Sequence, residues 1–151
     1  AVSADHLVKT SLEDVARLSA SDTVAVSLPG TPFGLAQREY TPAKQILAAN
    51  GYLALATDLN PGTTWNESMQ FIQALACRYL ELTPAQALAA STINAAKAVA
   101  LEHKLARLRR GNRRTSSCWP RRITATSVTA TGPTRWQSSS KRANFTPTLV
   151  K

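Results

Sequence analysis

Leu53-Ala54-Leu55-Ala56-Thr57-Asp58-Leu59-Asn60-Pro61-Gly62-Thr63 is the stretch from which the rest of the chain can be read. From Tyr52 to Ala56 the residues run without polar alternation, the pattern of a strand covered on both faces, as in a parallel sheet. The run leads to a lone carboxylate, Asp58, and an Asn-Pro-Gly-Thr turn follows at once. An acid at the carboxyl end of such a strand stands where α/β barrels and open α/β sheets place their chemistry. Read locally, Asp58 serves equally well as the cap of a turn or of the next helix.

Working outward, the upstream chain repeats the pattern. Thr23 to Leu28 is β-branched and strand-like, and Pro29-Gly30-Thr31-Pro32 breaks it. Ala1 to Leu7 is a shorter strand-like segment ending in Asp5-His6-Leu7. Between them Ser11, with Asp14 three residues on, opens a helix whose apolar face is Leu12, Val15, Ala16, Leu18 and Ser19. Thr41 is the expected N-cap of a second helix with Pro42 at its first position. Ile46, Leu47 and Ala48 form its apolar side, and Asn50-Gly51 stops it. Downstream, residues 66–82 read as a long helix burying Met69, Ile72, Leu75, Ala76, Tyr79 and Leu80. Thr83-Pro84 then opens an Ala-rich helix running to about Leu101. Strands and helices alternating through short connections predict parallel βα units. Three such units do not close a barrel, which needs eight. The expected fold is α/β, a partial (β/α)8 TIM barrel.

Charge divides the chain in two. Its net charge of +9 on 151 residues would point to a nucleic-acid or membrane-surface binder if evenly spread. Residues 1–102 hold all nine acids and only six bases, giving −3, whereas residues 103–151 carry twelve bases and no acid, giving +12. Residues 103–151 are rich in Arg, Ser and Thr and have little apolar surface, the composition of a disordered tail. Trp119 and Trp136 interleaved with arginines would allow stacking on single-stranded nucleic acid. Cys77 and Cys118 are too far apart in sequence for a metal-binding motif. Cys77 falls in a helical apolar pattern as a small buried hydrophobe, which suits a reduced, cytoplasmic setting. No apolar run approaches the roughly 20 residues that span a bilayer, and no signal-peptide pattern opens the chain. The first residue is not Met and lies in a strand-like segment, so a downstream piece of a longer protein is expected.

The motif Ala-Thr-Asp58-Leu-Asn60-Pro-Gly62-Thr63 resembles the eighth-strand motif of imidazolonepropionases, amidohydrolase-superfamily enzymes of histidine degradation. The resemblance extends to Ser-Ala-Asp-His-Leu at 3–7, Thr-Val-Ala-Val-Ser-Leu-Pro-Gly-Thr-Pro-Phe-Gly-Leu at 23–35, and the run from Ala74 to Ala96. It covers about the first hundred residues, in order. It implies that residues 1–102 are the last three βα units of the barrel, strands six to eight, and it stops near Lys104. Members of the family continue there with a Gly-Ser-Leu-Glu-x-Gly-Lys-Gln-Ala-Asp-Leu pattern. Codons for Ala106 to Pro120 read one frame over permit such a sequence; the Cys118–Trp119 junction forces Leu and the Trp119–Pro120 junction forces Ala. The expectation is a one-base frameshift at about Leu105, leaving residues 103–151 out of frame.

The resemblance also implies the chemistry. Family members hold one divalent ion, zinc or iron, through a His-x-His pair, a further His and the strand-eight Asp; here Asp58 is that last ligand. A carboxylate so placed binds the ion and accepts the proton of the attacking water. His6 matches the strand-six His, which meets the scissile carbonyl or the water. Asn60, Gly62 and Thr63 match the turn that contacts the substrate, 4-imidazolone-5-propanoate, whose ring amide opens to N-formimidoyl-L-glutamate. Read without the resemblance, His6 is a strand-end residue and Asn60, Gly62 and Thr63 are plain turn residues. His103 has no motif around it and reads as solvent-exposed. The chain contains no His-x-His, so by itself it is expected to be inactive. The implied setting is a cytoplasmic enzyme with a small-molecule substrate, no membrane and no nucleic-acid partner, with homo-oligomerisation left open. The alternatives are another amidohydrolase-superfamily hydrolase or deaminase, and a basic nucleic-acid binder acting through residues 104–151. A third is a chain with no stable fold, because its open sheet has two bare edges.

Overall fold

The computed structural model describes residues 1–106. The expectations for most of the basic tail, including Cys118, Trp119 and Trp136, lie outside the described residues. Three short strands, β1 (Ser3–Asp5), β2 (Val24–Ser27) and β3 (Leu53–Leu55), form one parallel sheet in the order β1-β2-β3. Ala4 pairs with Ala25, and Ala25 with Leu53. Helix α1 (Leu12–Ser19) connects β1 to β2, and α2 (Gly30–Gly34) and α3 (Ala43–Ala48) connect β2 to β3. Helices α4 (Met69–Tyr79), α5 (Pro84–Ala90) and α6 (Ile93–Ala98) follow.

Both faces of β2 and β3 are covered, as their unbroken apolar runs require, while the edge strand β1 is only half-buried. Ala25, Leu53 and Leu55 point to one side and join Val15, Ile46, Ile72, Leu75 and Ala87 in the main core. Val24, Val26, Leu28 and Ala54 point to the other and are met by Ala95 and Ala98 of α6. The period of two along each strand sorts its residues between these clusters. On the outer edge of β3, the Asn94 side-chain amide donates to the Leu53 carbonyl at 2.8 Å. One bare group of that edge is thereby closed.

Two of the expected helix starts form as read. Ser11 accepts from the Asp14 amide at 3.1 Å and caps α1. Thr83 and Gln86 form a reciprocal capping box at α5, with Pro84 as its first residue. Thr41 does not cap α3; Pro42 is the N-cap residue. The Thr41 hydroxyl is drawn away from the helix, accepting from the buried Ser27 hydroxyl at 2.8 Å and donating to the His6 carbonyl at 2.6 Å. Thr41→Val leaves the buried Ser27 hydroxyl without its acceptor and the His6 carbonyl without its donor, and should lower stability by about 1–3 kcal/mol in urea unfolding. Ser27→Ala, which leaves Thr41 bonded to His6, should lower it less.

Other expectations are corrected. The Pro29–Pro32 break is itself the start of α2. Leu12 is 73% exposed and Ala16 is also exposed, so α1 buries a narrower face, centred on Val15. The long helix begins at Met69, because Asn66 and Ser68 spend the preceding residues in turns and Ser68 caps it. Tyr79 is half-exposed rather than core, stacked on Tyr40 with ring centroids 4.8 Å apart. The Ala-rich helix breaks into α5 and α6 at Ser91-Thr92. The Ser91 hydroxyl donates to the Ala87 carbonyl at 2.9 Å and that of Thr92 to the Leu88 carbonyl at 2.7 Å. Side-chain hydroxyls thus compete for helix acceptors. Gln73 of α4 donates to Ser91 at 2.5 Å and fixes the break in place.

Candidate functional site

The carboxyl ends of all three strands lie together, and each delivers one polar side chain. β1 ends at Asp5, and the next residue, His6, takes a left-handed backbone with φ 68°. Past β3, Asp58 does the same with φ 51°. Among the described residues eight non-glycine residues take a positive φ, and three of them, His6, Leu7 and Asp58, lie just past strand ends, where the turn redirects the side chains. After β2 the chain turns through Pro29 into α2, which carries Thr31.

Thr31 and His6 both face one oxygen of Asp58, and only Thr31 bonds to it. The Thr31 hydroxyl donates to Asp58 Oδ2 at 2.6 Å, and His6 Nε2 stands 4.0 Å from the same oxygen. The first is a short charge-assisted hydrogen bond. The second is too long for one and leaves His6 free to turn toward a ligand. The Asp58 side chain is 28% exposed and that of His6 is 50% exposed, so both are open to a small molecule. An open hollow of about 570 Å³ lies on the α1 side of His6, lined by Leu7, Val8, Lys9, Thr10, Asp14 and Leu18; Asp58, Thr31 and the Asn60–Thr63 turn do not line it.

Asn60, Gly62 and Thr63 form the rim above Asp58. The Asn60 Oδ1 accepts from the backbone amides of Gly62 at 2.9 Å and Thr63 at 2.8 Å, while its amide donates to the Asp58 carbonyl at 2.7 Å. Asn60 therefore shapes the turn with its own polar atoms, and Gly62 is its exposed crest. The turn is braced from below by α2. A Cβ on Gly34 would lie 2.1 Å from the Thr63 carbonyl oxygen, whereas one on Gly62 would meet only Asn60 Oδ1, at 3.3 Å. Gly34→Ala should therefore push the turn away and lower stability by about 1–3 kcal/mol, read as a drop in melting temperature. Gly62→Ala should fall within about 1 kcal/mol of the parent, as a surface change.

Sequence reasoning missed Thr31, treating Pro29–Pro32 only as a strand breaker. Its signal was present, a hydroxyl just past the end of the middle strand. His103 is exposed and stands 3.5 Å from Glu102, away from any cluster. Burial pushes the Cys77 thiol up from its ordinary pKa, so it is a poor nucleophile near neutral pH. Among the described residues no group of three or more His, Cys, Asp or Glu side chains comes together to hold a metal ion. Asp58 and His6 give two donors where a catalytic zinc takes three protein ligands. They fit part of a metal site and not the whole of one. No helix among the described residues is long and apolar enough to cross a membrane.

No family model matches the chain. Over 99 residues it is 59% identical to imidazolonepropionase of Herpetosiphon aurantiacus, a match covering 66% of this chain and 23% of that protein. It is 46% identical over 99 residues to imidazolonepropionase of Staphylococcus aureus, covering 66% of this chain and 24% of the relative. Over 111 residues it is 44% identical to that of Symbiobacterium thermophilum, covering 74% of this chain and 26% of the relative. The chain is thus homologous to imidazolonepropionases and spans about a quarter of their length. Among solved structures it is similar to a zinc-bound adenosine deaminase from Xanthomonas campestris, with a TM-score of 0.62 at 18% identity. That likeness covers 69% of this chain and 25% of the other, and it shows the α/β barrel-type fold.

Proposed function

We propose, starting from this homology, that the chain supplies the last three βα units of an imidazolonepropionase, a hydrolase of histidine degradation acting on 4-imidazolone-5-propanoate. The observation that carries the reading is the meeting of three strand ends on Asp58, with His6 facing the same carboxylate oxygen.

In the reaction a water oxygen adds to the ring carbonyl carbon, the ring C–N bond breaks, and the nitrogen leaves with a proton. Asp58 takes the proton from the attacking water and passes it to the departing ring nitrogen. His6 donates a hydrogen bond to the scissile carbonyl oxygen, where negative charge gathers. The Asn60–Thr63 turn, with Gly62 at its crest, lets backbone approach the substrate closely. When bound, a divalent ion, zinc or iron, supplies Lewis acidity at such a site. Asp58 is the residue here that would hold it, with the other ligands from outside this chain. The setting we propose is cytoplasmic.

The 151-residue chain alone should show no hydrolysis of 4-imidazolone-5-propanoate, with or without added zinc. The direct test is a chimera in which the matched 99 residues replace their counterparts in the Herpetosiphon aurantiacus enzyme. Activity near that of the parent supports the reading. A folded, metal-loaded chimera without activity would sink it.

Adenosine deaminase represents the alternative of a different amidohydrolase substrate, but at 18% identity that likeness bears on the fold and leaves the substrate untouched. For the chain's division we propose imidazolonepropionase-like sequence over residues 1–102 and an out-of-frame tail over residues 103–151. DNA across codon 105 that fails to encode the family's Gly-Lys-Gln-Ala-Asp-Leu pattern in the neighbouring frame would overturn it.

A further inference from the structure

We propose that Thr31 is a positioning residue that sets which oxygen of Asp58 faces a ligand; the inference rests on the site reading above. The Thr31 hydroxyl engages Oδ2 at 2.6 Å, and His6 faces that same atom. Oδ1 takes part in neither contact. An ionised carboxylate only accepts hydrogen bonds, so the hydroxyl is the donor and the negative charge is its anchor. With one oxygen tethered, the carboxylate loses rotation about its last bond and offers Oδ1 as a single, directed donor. It then acts as a one-oxygen ligand or proton acceptor.

The tether is only as firm as the element that carries it, and α2 is tightly seated. A Cβ on Gly30 would lie 2.9 Å from the Thr64 methyl and 3.2 Å from Ile72 Cδ1, so the backbone beside Thr31 rests directly on α4 and the site turn. Phe33 packs edge-on against Phe71 of α4 with centroids 5.5 Å apart. The hydroxyl is thus aimed by packing on both sides of it. Hydrogen-bonding groups behind a ligating carboxylate act in the same way in metal sites generally.

The test uses the full chain and needs no activity. The chain has two histidines, His6 and His103, so its imidazole proton spectrum holds two sets of ring signals, assigned with His103→Gln. Spectra are taken well above the ordinary imidazole pKa, so that no titration enters. Asp58→Asn should move the His6 ring signal, because the carboxylate facing it is gone. Thr31→Val, of equal shape without the hydroxyl, should move it as well, and Thr31→Ser should return it to the parent position. In Asp58→Asn, adding Thr31→Val should produce a smaller shift than it does in the parent. If Asp58→Asn moves the signal and Thr31→Val does not, Thr31 has no positioning role while the Asp58–His6 pairing stands. An unmoved signal in Asp58→Asn removes the pairing itself, and with it the site reading. Should Thr31→Val lose the dispersed amide spectrum of the parent, Thr31→Ala carries the same comparison.

Discussion

In the Herpetosiphon chimera, Asp58→Asn should lower kcat/KM by about 10²- to 10⁴-fold, the range associated with removing a positioned acid–base group. The substitution is chosen because it keeps the shape of the side chain. An asparagine carbonyl oxygen still accepts from the Thr31 hydroxyl, more weakly without the charge, so the tether between α2 and the strand-end turn is loosened rather than lost. The left-handed backbone at position 58 is likewise tolerated by Asn better than by most residues. What disappears is the negative charge and the capacity to take a proton. Unfolding midpoints of parent and variant should agree closely while turnover differs by orders of magnitude. A variant within tenfold of the parent chimera would show that Asp58 only holds the turn.

The second large effect concerns the core. Ile46→Ala in the 151-residue chain should lower the free energy of unfolding by about 2–5 kcal/mol, read from urea curves followed by circular dichroism. Ile46 is completely buried, in the cluster that joins α1, α3, β3 and α4. Its carbonyl also receives the Gly51 amide at 2.8 Å as the chain leaves α3 for β3. Little can collapse into the space, because the backbone at Gly51 already lies close against it: a Cβ there would be 2.9 Å from Ile46 Cγ2. A domain of this size is stable by only about 5–15 kcal/mol, so the variant should sit near its unfolding threshold at room temperature. A loss under 1 kcal/mol would mean that α3 is not packed as described.

The parallel sheet was legible because its strands carry no polar alternation, and residues such as Val24 and Leu53 have no other way to be buried. The caps at Ser11 and Thr83 were legible because they act within three residues of themselves. Thr41 looked like the same kind of cap and is not one. Its hydroxyl bonds to His6 and Ser27, and nothing in the local pattern distinguishes a threonine facing its own helix from one facing a distant strand end. Thr31 was passed over for the same reason, since its partner Asp58 lies on another strand. Ser91 and Thr92 did carry a local sign of the helix break, outweighed in the reading by the surrounding alanines. Tyr79 fitted the helical period, but its ring found Tyr40 outside the core. Asp58 and His6 were named from a family resemblance, and the structure brings them face to face. The chain's own pattern left each of them open to a plainer reading.

The two threonine tethers also bear on the order in which the molecule takes shape. The Thr41–His6 bond closes a loop of 35 residues and the Thr31–Asp58 bond one of 27. Capping bonds close within a single turn and form early, whereas contacts between distant segments wait until loop closure is compensated by the strands already paired. The strand ends should therefore be the last part of the sheet to settle during refolding. They should also be the first to open in hydrogen exchange, ahead of the buried amides of Ala25 and Ala54.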